Sequence, residues 1–245
     1  MHRFFVQPEN IVGEEVILRG TDVSHIRTVL RLKPGNQIMV LDGLGSRYLV
    51  QLAEVKSREV RGRIESKEDY QTESPLVIQM GVALLKGNKL NPVVRKAVEL
   101  GVCRVSPLKT DRSIIRVLRT EAEKKTARWL RIAQEAARQS GRSHLPEVSP
   151  NIQTVEEFCR ESQTAEIKLM FWEEEEVCRL RDVSPENAPR SIAFLTGPEG
   201  GFSQEEIETA QEYGFQSITL GPRILRAETV PIVVLSLLQN RWGDL

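Results

Sequence analysis

The sequence predicts an α/β protein in which a small β-barrel precedes a mostly parallel sheet. Three observations predict it. The first 70 residues read as short strand-like runs cut by turn signals. From about residue 75 onward, strand-like and helix-like runs alternate. Two glycine-rich loops near the C-terminus each follow a strand and lead into a helix. A chain of 245 residues is long enough for one large domain or two ordinary ones.

The strands expected in the first part cover residues 4–6, 15–19, 37–42, 48–55 and 60–65. Turn signals separate them: Pro8-Glu9-Asn10, Lys33-Pro34-Gly35-Asn36 and Asp42-Gly43-Leu44-Gly45. One helix is expected over 22–32, capped by Asp22, because Val23, Ile26, Val29 and Leu30 repeat at helical spacing. Several short strands and one helix suggest a barrel. The polar stretch 67–75 ends in Pro75 and marks the expected boundary, giving domains 1–70 and 75–245.

Beyond it, strands are expected at 76–85, 102–108, 167–172, 191–195 and 217–220. Helices are expected at 92–100, stopped by Gly101, at 120–139, stopped near Gly141, and at 155–160. Ser203 should cap a further helix that Gly214 ends. The last helix should run over 227–242, with Pro231 confined to its first turn, where a missing N–H costs nothing.

Composition narrows the function. Hydrophobic residues make up 40% and charged residues 28%, the profile of a soluble globular protein. The longest strongly apolar stretch near the C-terminus, 230–238, falls far short of the roughly 20 residues that cross a bilayer. No membrane partner is expected, and the first residues lack the apolar core of a secretory leader, so the cytoplasm is the expected compartment. Cys103, Cys159 and Cys178 form no CxxC pair, and His2, His25 and His144 are scattered; neither a disulfide framework nor a metal site is expected. Four consecutive acids, Glu173 to Glu176, cannot all face one ion and read as a solvated loop. The zero formal net charge conceals an asymmetry: 104–142 holds eleven Lys/Arg against four Asp/Glu, whereas 147–186 holds eleven acids against four bases. A basic block can dock phosphates or simply form a solvated helix face.

The two loops carry the chemistry. In Phe194-Leu195-Thr196-Gly197-Pro198-Glu199-Gly200-Gly201-Phe202-Ser203, three glycines and a proline fall within five residues. Glycine lets a ligand approach the main chain, and a loop after a strand is where open α/β sheets bind ligands. The loop is not a P-loop, because no Gly-Lys-Ser/Thr follows, and Glu199 would repel phosphate. A ligand with a positive centre fits better, and a kinase or ATPase is poorly supported for want of a phosphate-binding lysine loop and an obvious magnesium site. The second loop, Leu220-Gly221-Pro222-Arg223-Ile224-Leu225-Arg226-Ala227-Glu228-Thr229, sets charges beside apolar residues, as cofactor pockets do. A surface salt bridge between Arg226 and Glu228 is the plainer alternative.

Together these loops resemble the SPOUT superfamily of RNA methyltransferases, and within it the family that methylates N3 of a uridine in 16S, small-subunit ribosomal RNA. The resemblance extends to His2-Arg3-Phe4-Phe5, Lys86-Gly87 with Lys96-Ala97-x-Glu99-Leu100-Gly101-Val102, and Glu135-Ala136-Ala137-x-Gln139-Ser140-Gly141-Arg142. Val230 stands where alanine is usual after Glu-Thr, a small apolar change. The resemblance implies a PUA-like RNA-binding barrel, a SPOUT α/β domain with a trefoil knot, S-adenosylmethionine as cofactor and a homodimer. It implies cofactor contacts at Leu195, Thr196, Gly197, Glu199, Gly200, Leu220, Gly221, Ile224, Leu225 and Thr229. Loop placement and charge then make Arg226 the candidate donor to a developing uracil oxyanion, and Glu228 the group that orients it or takes the proton. Arg3, Lys86, Arg138 and Arg142 are second-rank candidates for contacts to RNA phosphates, which position an RNA without reading its sequence. The competing functions are a non-catalytic RNA-binding ribosome-assembly factor and a SPOUT methyltransferase acting on another nucleotide.

Overall fold

The computed structural model describes residues 1–113 and 119–245; Arg116 of the basic block lies outside them. The chain divides into two compact units. One comprises Met1–Glu73 and Ala137–Leu145, the other Ser74–Ala136 and Pro146–Leu245.

The first unit is a six-stranded sheet. Its strands are β1 (Arg3–Phe5), β2 (Ile11–Val12), β3 (Glu15–Arg19), β4 (Gln37–Leu41), β5 (Ser46–Val55) and β6 (Glu59–Asp69), in the order β1-β4-β5-β6-β3-β2. Only β1 and β4 run parallel; the other pairings are antiparallel. Alternate residues, among them Val16 and Leu18, Ile38 and Val40, and Val50 and Leu52, fill the core. Strand β6 runs on through Lys67 and Glu68 to Asp69, residues expected in a linker. Pairing across to β5 explains the extension, because the half-buried Arg47 meets Glu68 at 2.6 Å.

The helix expected over 22–32 is shorter and differently capped. Helix α1 (Thr21–Ser24) passes into a π-helical turn over His25–Val29. Gly20, at φ +67°, holds the N-cap position, and Asp22 instead sits in the first turn, 3.1 Å from Arg138. The segment 137–145 joins this unit through specific bonds. Tyr70 Oη and Thr72 Oγ1 donate to the carbonyl of Gly141, and Gly45 N donates to that of Ser143.

The second unit is a fully parallel sheet. Its strands are β7 (Val77–Ala83), β8 (Arg104–Leu108), β9 (Glu147–Val148), β10 (Ile167–Phe171), β11 (Ser191–Thr196) and β12 (Gln216–Ile218), in the order β12-β10-β11-β7-β8-β9. Every pairing is parallel. The central strands are buried, with Ile78, Met80 and Val82 of β7 and Ile192 to Leu195 of β11 essentially inaccessible, as a sheet covered on both faces requires.

The helices follow their apolar stripes. Helix α2 (Leu90–Glu99) buries Leu90, Val93, Val94, Ala97 and Val98, one face of a 3.6-residue repeat. Helix α3 (Arg119–Ser140) ends at Gly141, at φ +76°. Helix α4 (Val155–Glu161) starts in a reciprocal cap between Thr154 and Glu157. Helix α5 (Gln204–Glu212) is capped by Ser203, as the sequence predicts, with Glu206 closing the box. Helix α6 (Val230–Trp242) has Pro231 in its first turn. Its buried Gln239 is satisfied at both ends, accepting from Ser74 Oγ at 2.7 Å and donating to Leu100 O at 3.0 Å.

Candidate active site

Three strands that are neighbours in the sheet, β12, β10 and β11, end at one cleft of about 310 Å³. Phe171, Trp172 and Glu173 enter it from the end of β10, Gly197, Pro198 and Glu199 from the end of β11, and Ile218 to Gly221 from the end of β12. The run from Arg223 to Glu228, with Val230, closes another side, and Lys89 reaches in from the start of α2. Carboxyl ends of parallel strands are the expected place for a ligand, because the loops there are free to vary while the sheet holds them fixed. The lining mixes apolar groups with a few charges, the composition of a cofactor pocket.

Electrostatics tie the two glycine-rich loops together. Lys89 Nζ lies 3.2 Å from Glu199 Oε1 and 3.3 Å from Glu228 Oε2. Glu199 also accepts from the main-chain N–H of Lys86 at 3.2 Å. Burial pushes the Glu199 carboxyl up, but the N–H groups of its own residue and Lys86, with the Lys89 ammonium, outweigh it and hold it below the usual range. Glu228 is held down by its own main-chain N–H, then by Lys89 and Arg226. The Lys89 ammonium is in turn raised by its bonds to Glu199 and Glu228. Both carboxylates are therefore charged near neutral pH. Glu228 takes Lys89, not Arg226, as its ion-pair partner, so the surface salt bridge weighed from sequence gives way to a bridge between loops.

Glycine is required where the loop meets Glu173. Gly201 has φ +70°, and a Cβ there would run into the Glu173 carboxylate. The acidic run is thus not merely solvated: Glu173 lines the cleft, and Glu175 accepts from the N–H groups of Val177 and Cys178 to close the following turn. Beneath the loop, Glu206 accepts from Ser203 N at 2.9 Å and from Asp111 N at 3.0 Å, which fixes the loop's exit.

Of the residues singled out from sequence, Gly197, Glu199, Leu220, Gly221, Ile224, Leu225, Arg226 and Glu228 line the cleft. Leu195 and Thr196 are buried in β11. Gly200 lies against Arg112, whose guanidinium donates to its carbonyl at 3.3 Å, and Thr229 precedes α6. These four are not among the lining residues. Lys86 is exposed and borders the site through its main chain. Arg3, Arg138 and Arg142 belong to the first unit. Arg3 is exposed on β1, whereas Arg138 is half-buried against Asp22 and stacks over the Phe4 ring. Arg142 is buried and bonded to Glu73, which also accepts from the N–H groups of Ser143 and His144. The Cys159 thiol is buried and pushed up to about 12, so it packs and does not react.

A model of the RNA methyltransferase domain matches residues 72–239, and one of the RNA methyltransferase PUA domain matches residues 18–65. The chain is 35% identical to ribosomal RNA small subunit methyltransferase E of Synechocystis, covering 96% of this chain and 76% of that protein. It is 30% identical to the Bacillus subtilis protein of the same name, covering 96% and 95%. The chain belongs to the ribosomal RNA small subunit methyltransferase E family. A crystal structure of a family member from Neisseria gonorrhoeae bound to S-adenosyl methionine is 34% identical, with a TM-score of 0.88 over 100% of this chain and 99% of that one. Membership explains the loops but not Lys89, which sequence reasoning passed over. It lies 110 residues before Glu199 and 139 before Glu228, and only the fold brings the three together.

Proposed function

We propose that this chain transfers a methyl group from S-adenosylmethionine to N3 of a uridine in 16S ribosomal RNA within the small subunit. The observation that carries the reading is the cleft at the ends of β12, β10 and β11. Its chemistry fits the cofactor. Carboxylates at Glu173, Glu199 and Glu228 complement a positive centre, Phe171, Ile218 and Leu225 offer apolar contact, and Gly197 and Gly221 leave the main chain approachable. We assign Gly197, Glu199, Leu220, Gly221, Ile224 and Leu225 to cofactor binding by side or main chain, with Leu195, Thr196, Gly200 and Thr229 supporting from behind.

The bound cofactor supplies a methyl group already activated by its sulfonium. What remains for the protein is alignment and one proton. Alignment in a fixed site is worth up to roughly 7–11 kcal/mol in the best intramolecular models. Uracil N3 loses its proton only above neutral pH, and each pH unit of that gap costs about 1.4 kcal/mol. Arg226, at the cleft, stabilises the negative charge that grows on the uracil oxygen. Glu228, held ionised by its own main-chain N–H and by Lys89, takes the N3 proton as the N3–methyl bond forms and the sulfonium–methyl bond breaks.

The first unit recruits the RNA. A PUA-domain match over 18–65 supports this assignment, and Arg3 and Lys86, both exposed, are the phosphate contacts retained from the sequence. Arg138 and Arg142 act instead as struts, through Asp22 and Glu73. A homodimer, a trefoil knot at the cofactor loops and a cytoplasmic location complete the reading. The apolar character of α6 supports the dimer, since Leu237 remains exposed and Ile232 and Val233 partly so. Among the described residues no helix is long and apolar enough to cross a membrane.

The test uses small ribosomal subunits from cells lacking this protein, the purified protein and labelled S-adenosylmethionine. Mass spectrometry should find the label in N3-methyluridine. Label in another nucleoside would reassign the target, and no label with no cofactor binding would favour an RNA-binding assembly factor.

A further inference from the structure

We propose that the segment 25–33 of the first unit is a docking site for RNA phosphates, with Arg27, Arg31 and Lys33 as its cations. The inference deepens the RNA reading above and rests on it. It begins with charge. No acidic residue lies between Asp22 and Asp42, and three of the cations of that interval fall within seven residues. All three are exposed. Most other cations of the unit are spoken for: Arg19 and Arg61 by Glu59, Arg47 by Glu68, Arg63 by Glu14, Arg138 by Asp22 and Arg142 by Glu73. Among the described residues, Arg27, Arg31 and Lys33 show no ion pair.

The backbone supplies an independent observation. Arg31 has φ +53°, the only positive φ at a non-glycine position among the described residues. Elsewhere in this unit the left-handed positions belong to glycine, at Gly13, Gly20, Gly35, Gly43, Gly45 and Gly141. Arg31 is where the π-helical turn ends, with Leu30 N bonded to His25 O and Leu32 N to Ile26 O, both at 2.9 Å. A residue leaving a helix in this conformation is usually glycine, because a Cβ is strained there. Single-turn π-helical segments and strained non-glycine residues both concentrate at functional sites. Here an arginine holds a position where glycine would relieve strain, on an acid-free and exposed segment, so its side chain has a use outside the fold. Phosphate is the natural partner of unpaired guanidinium and ammonium groups. The match of 18–65 to an RNA methyltransferase PUA domain places the segment in an RNA-directed module. A lipid surface would need an apolar face beside the cations, and the segment exposes only Val29.

Strain makes the test clean. Arg31→Gly, and separately the double variant Arg27→Gln with Lys33→Gln, are compared with the wild type. Each binds purified small-subunit ribosomal RNA across a salt series, with thermal unfolding and cofactor titration run in parallel. Arg31→Gly should unfold at the same or a higher temperature and bind the cofactor unchanged. Its RNA affinity should fall several-fold, and the log–log salt slope should flatten by about 0.7–0.9 for each cation removed. Wild-type affinity and slope in both variants, with RNA binding and methylation intact in the wild type, would overturn the site and leave the function standing. If the wild type itself failed to bind RNA, both would fall. Weaker binding to vesicles of anionic lipid with RNA binding unchanged would also overturn the proposal.

Discussion

Arg226 and Arg142 look alike in the sequence and end in opposite surroundings. Each closes a short motif of glycine and charge, and each invites a functional role. Arg226 lies on the wall of an open cleft, beside a carboxylate that Lys89 already holds. Arg142 is buried, bonded to Glu73, in a unit that gathers a distant segment of chain around that pair. A motif shows that a residue's identity is constrained; burial and partners show whether the constraint serves the fold or the reaction. A charge paired in the interior is costly to break and contributes no chemistry. A charge left available in a cleft contributes little to stability and can act on a substrate.

Breaking the buried pair should therefore give a folding defect. Glu73→Ala removes the carboxylate that accepts from the Arg142 guanidinium and from the N–H groups of Ser143 and His144, and should cost about 3–5 kcal/mol, read by urea unfolding. The same pair carries a pH signature. Burial raises the Glu73 carboxyl, but Arg142 and the His144 N–H together outweigh it and the net shift is downward from 4.5. Its stabilising contribution is thus present above about pH 4.5 and lost as the pH falls through the lower folded value. Acid unfolding of Glu73→Gln should lack that component.

Arg226→Ala should do the reverse. Turnover at saturating RNA should drop about 10²–10³-fold, the usual loss on removing one donor to a developing oxyanion, while the unfolding midpoint stays within error. Equal loss of stability would return Arg226 to the class of Arg142. Gly201→Ala probes the loop itself. A left-handed alanine costs about 1–2 kcal/mol, and the new methyl must also displace the Glu173 carboxylate. Cofactor affinity, measured by calorimetry, should weaken by up to about tenfold. The mildest change is Lys89→Gln. Glu199 and Glu228 lose the ammonium that helps hold them down, so the acid limb of the pH–rate profile should move to higher pH. An unmoved limb would separate the loop bridge from the reaction.

Much of the second unit was legible because its signals are local. The stripe of Leu90, Val93, Val94, Ala97 and Val98, the Ser203 cap and the Pro231 start depend on neighbours within a few turns. The cleft was legible in half, since its glycine loops announce themselves while Lys89 and Glu173 acquire meaning only when parallel strands align their ends. The first unit was harder. The extension of β6 rests on cross-strand pairing with β5, and the cap at Gly20 rests on a backbone angle that Asp22 conceals. The partners of Arg138 and Arg142, Asp22 and Glu73, lie 116 and 69 residues away in sequence, beyond any local pattern.

Photo-crosslinking of labelled S-adenosylmethionine, followed by peptide mapping, tests the cofactor cleft most directly. Label should appear in peptides spanning 197–201 and 218–230 and should be lost when unlabelled cofactor competes. Competable label confined to the first unit, or none in either loop, would contradict the assignment.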